Sequence, residues 1–334
     1  MNNCKDIYIY VEQRNGIIQE VSYELIGEAK RLAEQIKTYQ VVAVLLGYNI
    51  KNLQVLIEYG ADKVIVCNHE LLQNYHTESY TKALDLIIKT YQPDFFLIGA
   101  TTIGRDLAPR VAARCNTGLT ADATLLEVDL TKDSPLLLVT RPAFGGNLFA
   151  SITCDHHRPQ MASIRPKVFA PLAPDTSRKG EIIDFNVELS KNDIHTETIK
   201  TIQKVQKGID ITKAEIIISG GRGVAKNFDI LKTVAKELDA AVGASRAVVD
   251  EGYVSKEIQV GQTGVTVRPR IYIACGISGA VQHAAGMDKS DYIIAINKDP
   301  NAAIFNIAHV GIIGDALEIL PLIKEEILKI KHSS

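Results

Sequence analysis

Short apolar runs rich in valine and isoleucine alternate along the chain with longer segments whose apolar positions recur every three or four residues. The first part reads as strand at 7–11, helix at 22–37, strand at 41–46, helix at 53–59 and strand at 63–67. It continues as helix at 81–91, strand at 94–100 and helix at 105–115. This alternation predicts a parallel sheet with helices packed on its faces. Within the first helix Leu25, Ala29, Leu32, Ala33 and Ile36 form one apolar stripe, and Ser22 is available as the N-cap.

The rhythm then changes. Strand-like runs at 136–140, 148–153 and 161–164 follow one another without helices and predict an antiparallel edge on the first sheet. A proline-containing stretch at 166–179, a short strand near 183–187 and a polar stretch at 190–206 break the pattern, which places a linker at 191–209. A second run follows, with strands at 215–219, 270–275, 292–297 and 310–315 and helices at 227–238, 279–285 and 301–308. Phe228, Leu231, Val234, Ala235 and Leu238 supply the buried stripe of its first helix. Pro321 is expected to end or kink the last helix, leaving a helical tail at 321–334. The fold class expected is therefore α/β: a Rossmann-like parallel-sheet domain at 1–190 and a doubly wound α/β domain at 210–320.

Composition narrows the partners. The 334 residues carry 37 basic and 39 acidic side chains, a formal charge of -2, without a basic block of the kind that grips a phosphate backbone. Nucleic acid and membrane surfaces are poor partners, and no apolar run is long enough to span a bilayer. Cys4, Cys67, Cys115, Cys154 and Cys275 are scattered, with no CxxC pair, which argues against a disulfide framework, a zinc knuckle or an iron–sulfur cluster. A reducing, cytoplasmic setting is expected.

Candidate chemistry gathers in loops that follow the strands of the second run, at the edge where open parallel sheets bind ligands. Ser219-Gly220-Gly221-Arg222-Gly223 lets backbone N–H groups approach an anion beside a guanidinium. Taken alone, it reads equally as a glycine-rich turn. Gly243-Ala244-Ser245-Arg246 places a hydroxyl next to a second guanidinium. Gly261-Gln262-Thr263-Gly264 brackets two hydrogen-bonding side chains with glycines, although a hairpin turn has the same look. The stretch from Gly276 to His283 opens a helix after a strand, where an exposed N-terminus attracts pyrophosphate.

With Asn297-Lys298-Asp299-Pro300, these segments resemble the alpha subunit of electron-transfer flavoproteins. SGGRG (219–223), AAVGASRAVVD (240–250), VGQTG (260–264), YIACGISGAVQHAAGM (272–287) and AINKDPNAAIF (295–305) occur in the family's order. The N-terminal half carries the likeness in GATTIGRDLAPRVAARCNTGLTADAT (99–124), RPAFGGN (141–147) and RPQMASIRP (158–166). Local departures are Cys154-Asp155-His156-His157, Ala123 where the family often has cysteine, and the polar stretch before Ile211.

The resemblance implies a bound FAD held by the C-terminal domain. Its contacts would be Arg222, Ser245, Arg246, Val260, Gly261, Gln262, Thr263, Ser278, Gly279, Ala280, Val281, Gln282, His283, Asn297, Asp315 and Ala316. Arg222, Ser245 and the Ser278 turn suit the phosphates; Arg246, Thr263 and His283 suit the isoalloxazine. The resemblance further implies a heterodimer with the electron-transfer flavoprotein beta subunit. That pair would exchange electrons with an acyl-CoA dehydrogenase, as in fatty acid β-oxidation, or with a related flavoenzyme. The competing readings are a flavin- or nicotinamide-dependent small-molecule oxidoreductase and a scaffold subunit without cofactor. Cys154, Asp155, His156 and His157 are metal-ligand types, but neighbours in sequence point apart, so they are expected to form a polar turn. Gly104-Arg105-Asp106 is expected to shape a subunit interface rather than a nucleotide site.

Overall fold

The computed structural model describes residues 4–143, 148–196, 198–200, 202 and 210–333. By internal contacts the chain divides into two compact units, the second beginning at Ile202.

The N-terminal unit opens with β1 (Lys5–Val11), the two-residue strands β2 (Gln13–Arg14) and β3 (Ile17–Ile18), and α1 (Glu20–Ile36). Then come β4 (Val41–Gly47), α2 (Gln54–Glu58), β5 (Lys63–Asn68), α3 (Thr77–Tyr91), β6 (Pro93–Gly99) and α4 (Thr102–Arg114). The remaining strands are β7 (Leu119–Ala123), β8 (Leu125–Asp129), β9 (Leu136–Ala143), β10 (Leu148–Ile152), β11 (Gln160–Ile164) and β12 (Glu181–Asp184).

Seven of these form a parallel sheet in the order β12-β5-β4-β1-β6-β11-β7. Alternation along β1 sends Ile7, Ile9 and Val11 to the core under α1, while Tyr8 and Tyr10 join the opposite core with Leu84, Ile87 and Leu107. Both faces are covered, as a parallel sheet requires.

The expected antiparallel edge is corrected here. β8, β9 and β10 make a separate three-stranded antiparallel sheet, and β11 leaves them to insert in parallel between β6 and β7. Every residue of β11 is buried, including Gln160 and Ser163. Those polar side chains are satisfied inside: Gln160 accepts from the Leu137 N–H at 2.8 Å, and Ser163 accepts from the Asp122 N–H at 3.1 Å. The run at 161–164 is a strand as read from the sequence; its parallel place is set by partners distant along the chain.

The start of the expected linker rests on the N-terminal unit. Lys191–Asp193 forms a 3-10 turn whose Asp193 pairs with Lys82 of α3 at 2.9 Å. Residues 197, 201 and 203–209 of that stretch, like 144–147 of the RPAFGGN motif, lie outside the described residues.

The C-terminal unit contains β13 (Ile216–Gly220), α5 (Asp229–Leu238), β14 (Ala241–Ala244), α6 (Arg246–Asp250), β15 (Ile271–Cys275), α7 (Val281–Ala284), β16 (Tyr292–Asn297), β17 (Val310–Ile313) and α8 (Ala316–Ser333). Its five strands are all parallel, in the order β14-β13-β15-β16-β17. Two expected helices shrink. The segment at 279–285 is the single turn α7, and that at 301–308 is a 3-10 turn, Ala303–Asn306. A Cβ on Gly286 would meet the Gly261 backbone at 2.4 Å, so the chain leaves the helix to pack backbone on backbone.

Pro321 neither ends α8 nor sets off a tail. Ala316 and Leu320, with Leu317, Ile319, Ile323 and Ile327, pack into the same core as Leu231, Val234 and Ala235 of α5. That apolar stripe runs across the proline and outweighs the one backbone hydrogen bond that Pro321 cannot donate.

Candidate functional site

The loops after β13, β14, β15, β16 and β17, with the 259–263 turn, surround one cleft of about 810 Å³ at the carboxyl edge of the five-stranded sheet. This is the size of a site for an extended small molecule. All the residues expected from the sequence line it, except Gly279 and Val281. Gly279, at φ +86°, is pressed against the Ala303–Asn306 turn, where a Cβ would lie 2.1 Å from the Ile304 nitrogen. Val281 opens α7 and faces partly outward.

Close backbone packing builds the floor. A Cβ on Gly221 would sit 2.1 Å from the Gly276 oxygen, and Gly261, at φ +137°, passes the Gln282 carbonyl with the same lack of room. The Gln262 N–H donates to that carbonyl at 2.7 Å, tying the 259–263 turn to α7. Because α6 and α7 are five and four residues long, an anion here is met by loop N–H groups and side chains more than by a helix macrodipole.

Three cations line the cleft. Arg246 Nε pairs with Asp250 at 3.0 Å, and Lys298 pairs with Asp315 at 2.8 Å. The Lys298 hydrogen bond and charge hold the Asp315 carboxyl below its ordinary range, and Asp315 also accepts from the Leu317 N–H at the start of α8. Arg222 is exposed and makes no ion pair among the described residues. Ser245 precedes α6 without using its hydroxyl as a cap.

Several side chains are already spoken for. Asn297 donates to the Ile277 carbonyl at 2.9 Å and accepts from the Asp299 N–H at 3.0 Å, so it joins two loops. Thr263 Oγ1 accepts from Gln259 Nε2 at 2.9 Å, which leaves its own proton to donate. His283 is only 6% exposed. Burial drives its pKa down to about 4, with the Val260 backbone opposing, so the imidazole is neutral near pH 7.

Residues missed from the expected contacts include Gln259, Asp250, Lys298 and Gly276. Lys298, Gly276 and Asp250 stood inside the quoted motifs; Gln259 and Asp250 act on neighbours four residues away, a link that spacing alone does not reveal.

The other candidates take no part in this cleft. The loop of Cys154, Asp155, His156 and His157 is held by Arg158 Nη1, which donates to the carbonyls of Cys154, Asp155 and His157. Among the described residues no group of three or more His, Cys, Asp or Glu could hold a metal ion. Arg105 donates to the Ala100 carbonyl and Asp122, and Asp106 accepts from Tyr75 at 2.6 Å.

Residues 7–190 match the electron transfer flavoprotein domain, and 210–288 match the electron transfer flavoprotein FAD-binding domain. Over 334 aligned residues the chain is 50% identical to the electron transfer flavoprotein subunit alpha of Thermoanaerobacterium thermosaccharolyticum, covering 99% of this chain and all of the relative. The chain belongs to the electron-transfer flavoprotein alpha-subunit family. Protein FixB of Clostridium saccharobutylicum is 48% identical, with 95% and 94% of the two chains covered. Subunit LctC of the lactate dehydrogenase (NAD(+),ferredoxin) of Acetobacterium woodii is 44% identical over 95% of this chain and 75% of that one.

As an electron-transfer flavoprotein alpha subunit, the protein uses FAD as its cofactor. The cleft fits that group. Its glycine floor admits a flat or extended ligand, Arg222 offers an unpaired charge, and His283 Nδ1 is a buried polar atom that completes no hydrogen bond of good geometry among the described residues. Among the described residues no helix is long and apolar enough to cross a membrane.

Proposed function

We propose that this electron-transfer flavoprotein alpha subunit works in the cytoplasm as a heterodimer with the family's beta subunit. The pair takes electrons from an acyl-CoA dehydrogenase or related flavoenzyme, or returns them to one. The observation that carries the reading is the single cleft in which Arg222, Ser245, Arg246, Thr263 and His283 converge. The five cysteines form no disulfide among the described residues, which supports a reducing compartment. FAD supplies reversible acceptance of one or two electrons. Arg222 and Ser245 bind the pyrophosphate; Arg246, Thr263 and His283 face the ring as donors. Gly261 and Gln262 shape the wall beside it, and Asn297 and Asp315 hold the loops that carry the site beyond one phosphate.

Purifying the heterodimer, releasing its cofactor by heat and weighing it tests the assignment. FAD with little turnover until a protein electron partner is added is expected; FMN, no flavin, or turnover of a small molecule without a protein acceptor refutes it. Likeness to LctC, whose name joins NAD(+) and ferredoxin, supports a second reading in which two FAD divide electrons between two acceptors. Flavin stoichiometry separates the two, with one FAD per heterodimer for the simple carrier and two for the divided pathway.

A further inference from the structure

Tyr272 stands on the central strand β15 with no solvent exposure, and its hydroxyl lies 3.0 Å from His283 Nε2. The two rings meet edge to face, with centroids 6.1 Å apart. A neutral imidazole carries one N–H and one lone pair, so whatever bonds Nε2 decides what Nδ1 can offer. If the phenol donates to a bare Nε2, the proton sits on Nδ1. If instead Nε2–H donates to the phenol oxygen, the Tyr272 proton must find another acceptor in a sealed interior.

The surroundings favour the first arrangement. Burial keeps Tyr272 protonated, and a bare imidazole nitrogen is a far stronger acceptor than a phenol oxygen. Ser219 Oγ, the other polar group near the phenol, completes no hydrogen bond of good geometry. On the other side of the imidazole, the backbone group that acts on His283 is at Val260, and it stabilises a ring that donates. Nδ1 lies on that side, buried and completing no hydrogen bond of good geometry among the described residues, on a residue that lines the cleft.

We infer that Tyr272 is a positioning residue that fixes the tautomer of His283: its O–H donates to Nε2 and keeps the proton on Nδ1, on the Val260 side of the ring. This rests on the reading of His283 as a residue that faces the flavin. A buried phenol behind the histidine thereby selects which of its two nitrogens carries the proton.

The FAD-loaded heterodimer, labelled with ¹⁵N-histidine, reports both nitrogens by NMR. The wild type is expected to show a protonated Nδ1 and a bare Nε2 for His283, assigned by loss of the signals in His283→Gln. Tyr272→Phe removes only the hydroxyl and is expected to shift the population toward the Nε2–H tautomer, with FAD still bound. A wild-type His283 protonated on Nε2, or an unchanged tautomer in Tyr272→Phe, overturns the inference; the wild-type measurement decides even if the variant does not fold. Reducing the flavin tests the underlying reading separately. Unmoved His283 signals on reduction would remove His283 from the flavin while leaving its tautomer readable.

Discussion

In the N-terminal unit the strand order turns back at β1, between β4 and β6, and the crevice there is occupied by the protein's own anion. Glu12, just past β1, is 1% exposed; its carboxylate takes two hydrogen bonds from Arg14, at 3.0 and 2.8 Å, and one from the Thr101 hydroxyl. Thr101 in turn caps α4 by accepting from the Gly104 N–H at 3.0 Å. In the C-terminal unit the carboxyl edge holds instead Arg222, with no acidic partner among the described residues, and a neutral buried histidine. Both edges rely on glycine for backbone approach: a Cβ on Gly104 would lie 1.8 Å from the Gly99 oxygen, as one on Gly221 would crowd Gly276. Asp250 and Asp315 pair two of the cleft's cations, so it is at Arg222 that the same architecture and closeness leave a charge open. What distinguishes a self-contained edge from a ligand site is whether the fold supplies its own counter-charge.

The contrast can be broken most strongly at Glu12. Glu12→Ala strands the Thr101 donor, leaves Arg14 to water and empties a buried volume, with an expected loss of about 3 kcal/mol of local stability. Hydrogen exchange of β1 and α4 in the heterodimer measures it. Partial restoration of protection by inorganic phosphate in the variant, and none in the wild type, would show that the carboxylate fills an anion site. Unchanged protection would show that Glu12 does not hold this edge.

Acidification acts on the other unit. A histidine held near pKa 4 when folded and near 6.5 when unfolded leaves the unfolded chain binding more protons between those values. Its contribution is fully present above pH 6.5 and is lost as pH falls toward 4, by up to about 3 kcal/mol. Hydrogen exchange of β15 and α7 between pH 4.5 and 7 should show this loss in the wild type, and a smaller one in His283→Gln. Equal slopes would mean that His283 titrates normally.

Arg222→Ala tests the unpaired charge. One charge-assisted hydrogen bond to a phosphate is worth about 1.5–3 kcal/mol, so FAD should bind roughly 10- to 150-fold more weakly. Equilibrium dialysis of the flavin gives the number, and unchanged affinity would take Arg222 out of the site. The smallest effect is expected at Arg246, whose charge is shared with Asp250. Arg246→Ala should lower the flavin midpoint potential by roughly a few tens of millivolts while FAD stays bound. A variant that loses FAD without moving the potential of the remaining flavin would place Arg246 on a phosphate instead.

Much of the architecture could be read from the chain because its signals are local. The apolar run at 7–11 and the helical stripe from Leu25 to Ile36 each arise within one element, and both appear in β1 and α1. The glycine, serine and arginine positions at 219–223, 243–246 and 261–264 were legible for the same reason, since turn chemistry is set by neighbours. Two features were not. The parallel insertion of β11 depends on pairing with β6 and β7, strands far away in sequence, which a strand-like run at 161–164 does not specify. The continuity of α8 through Pro321 depends on the face of α5 against which it packs.

Sequence by itself therefore determined the α/β class, the family resemblance and the loops in which cofactor chemistry would gather. Only the tertiary structure decided the charge states and partners: that Glu12 closes one edge, that Arg222 is left open at the other, and that His283 is neutral with Tyr272 at its Nε2. The reason is physical. Element type follows from periodicities of a few residues, whereas burial and hydrogen-bond partners come from segments brought together across the fold, and it is burial that sets the cost of a charge.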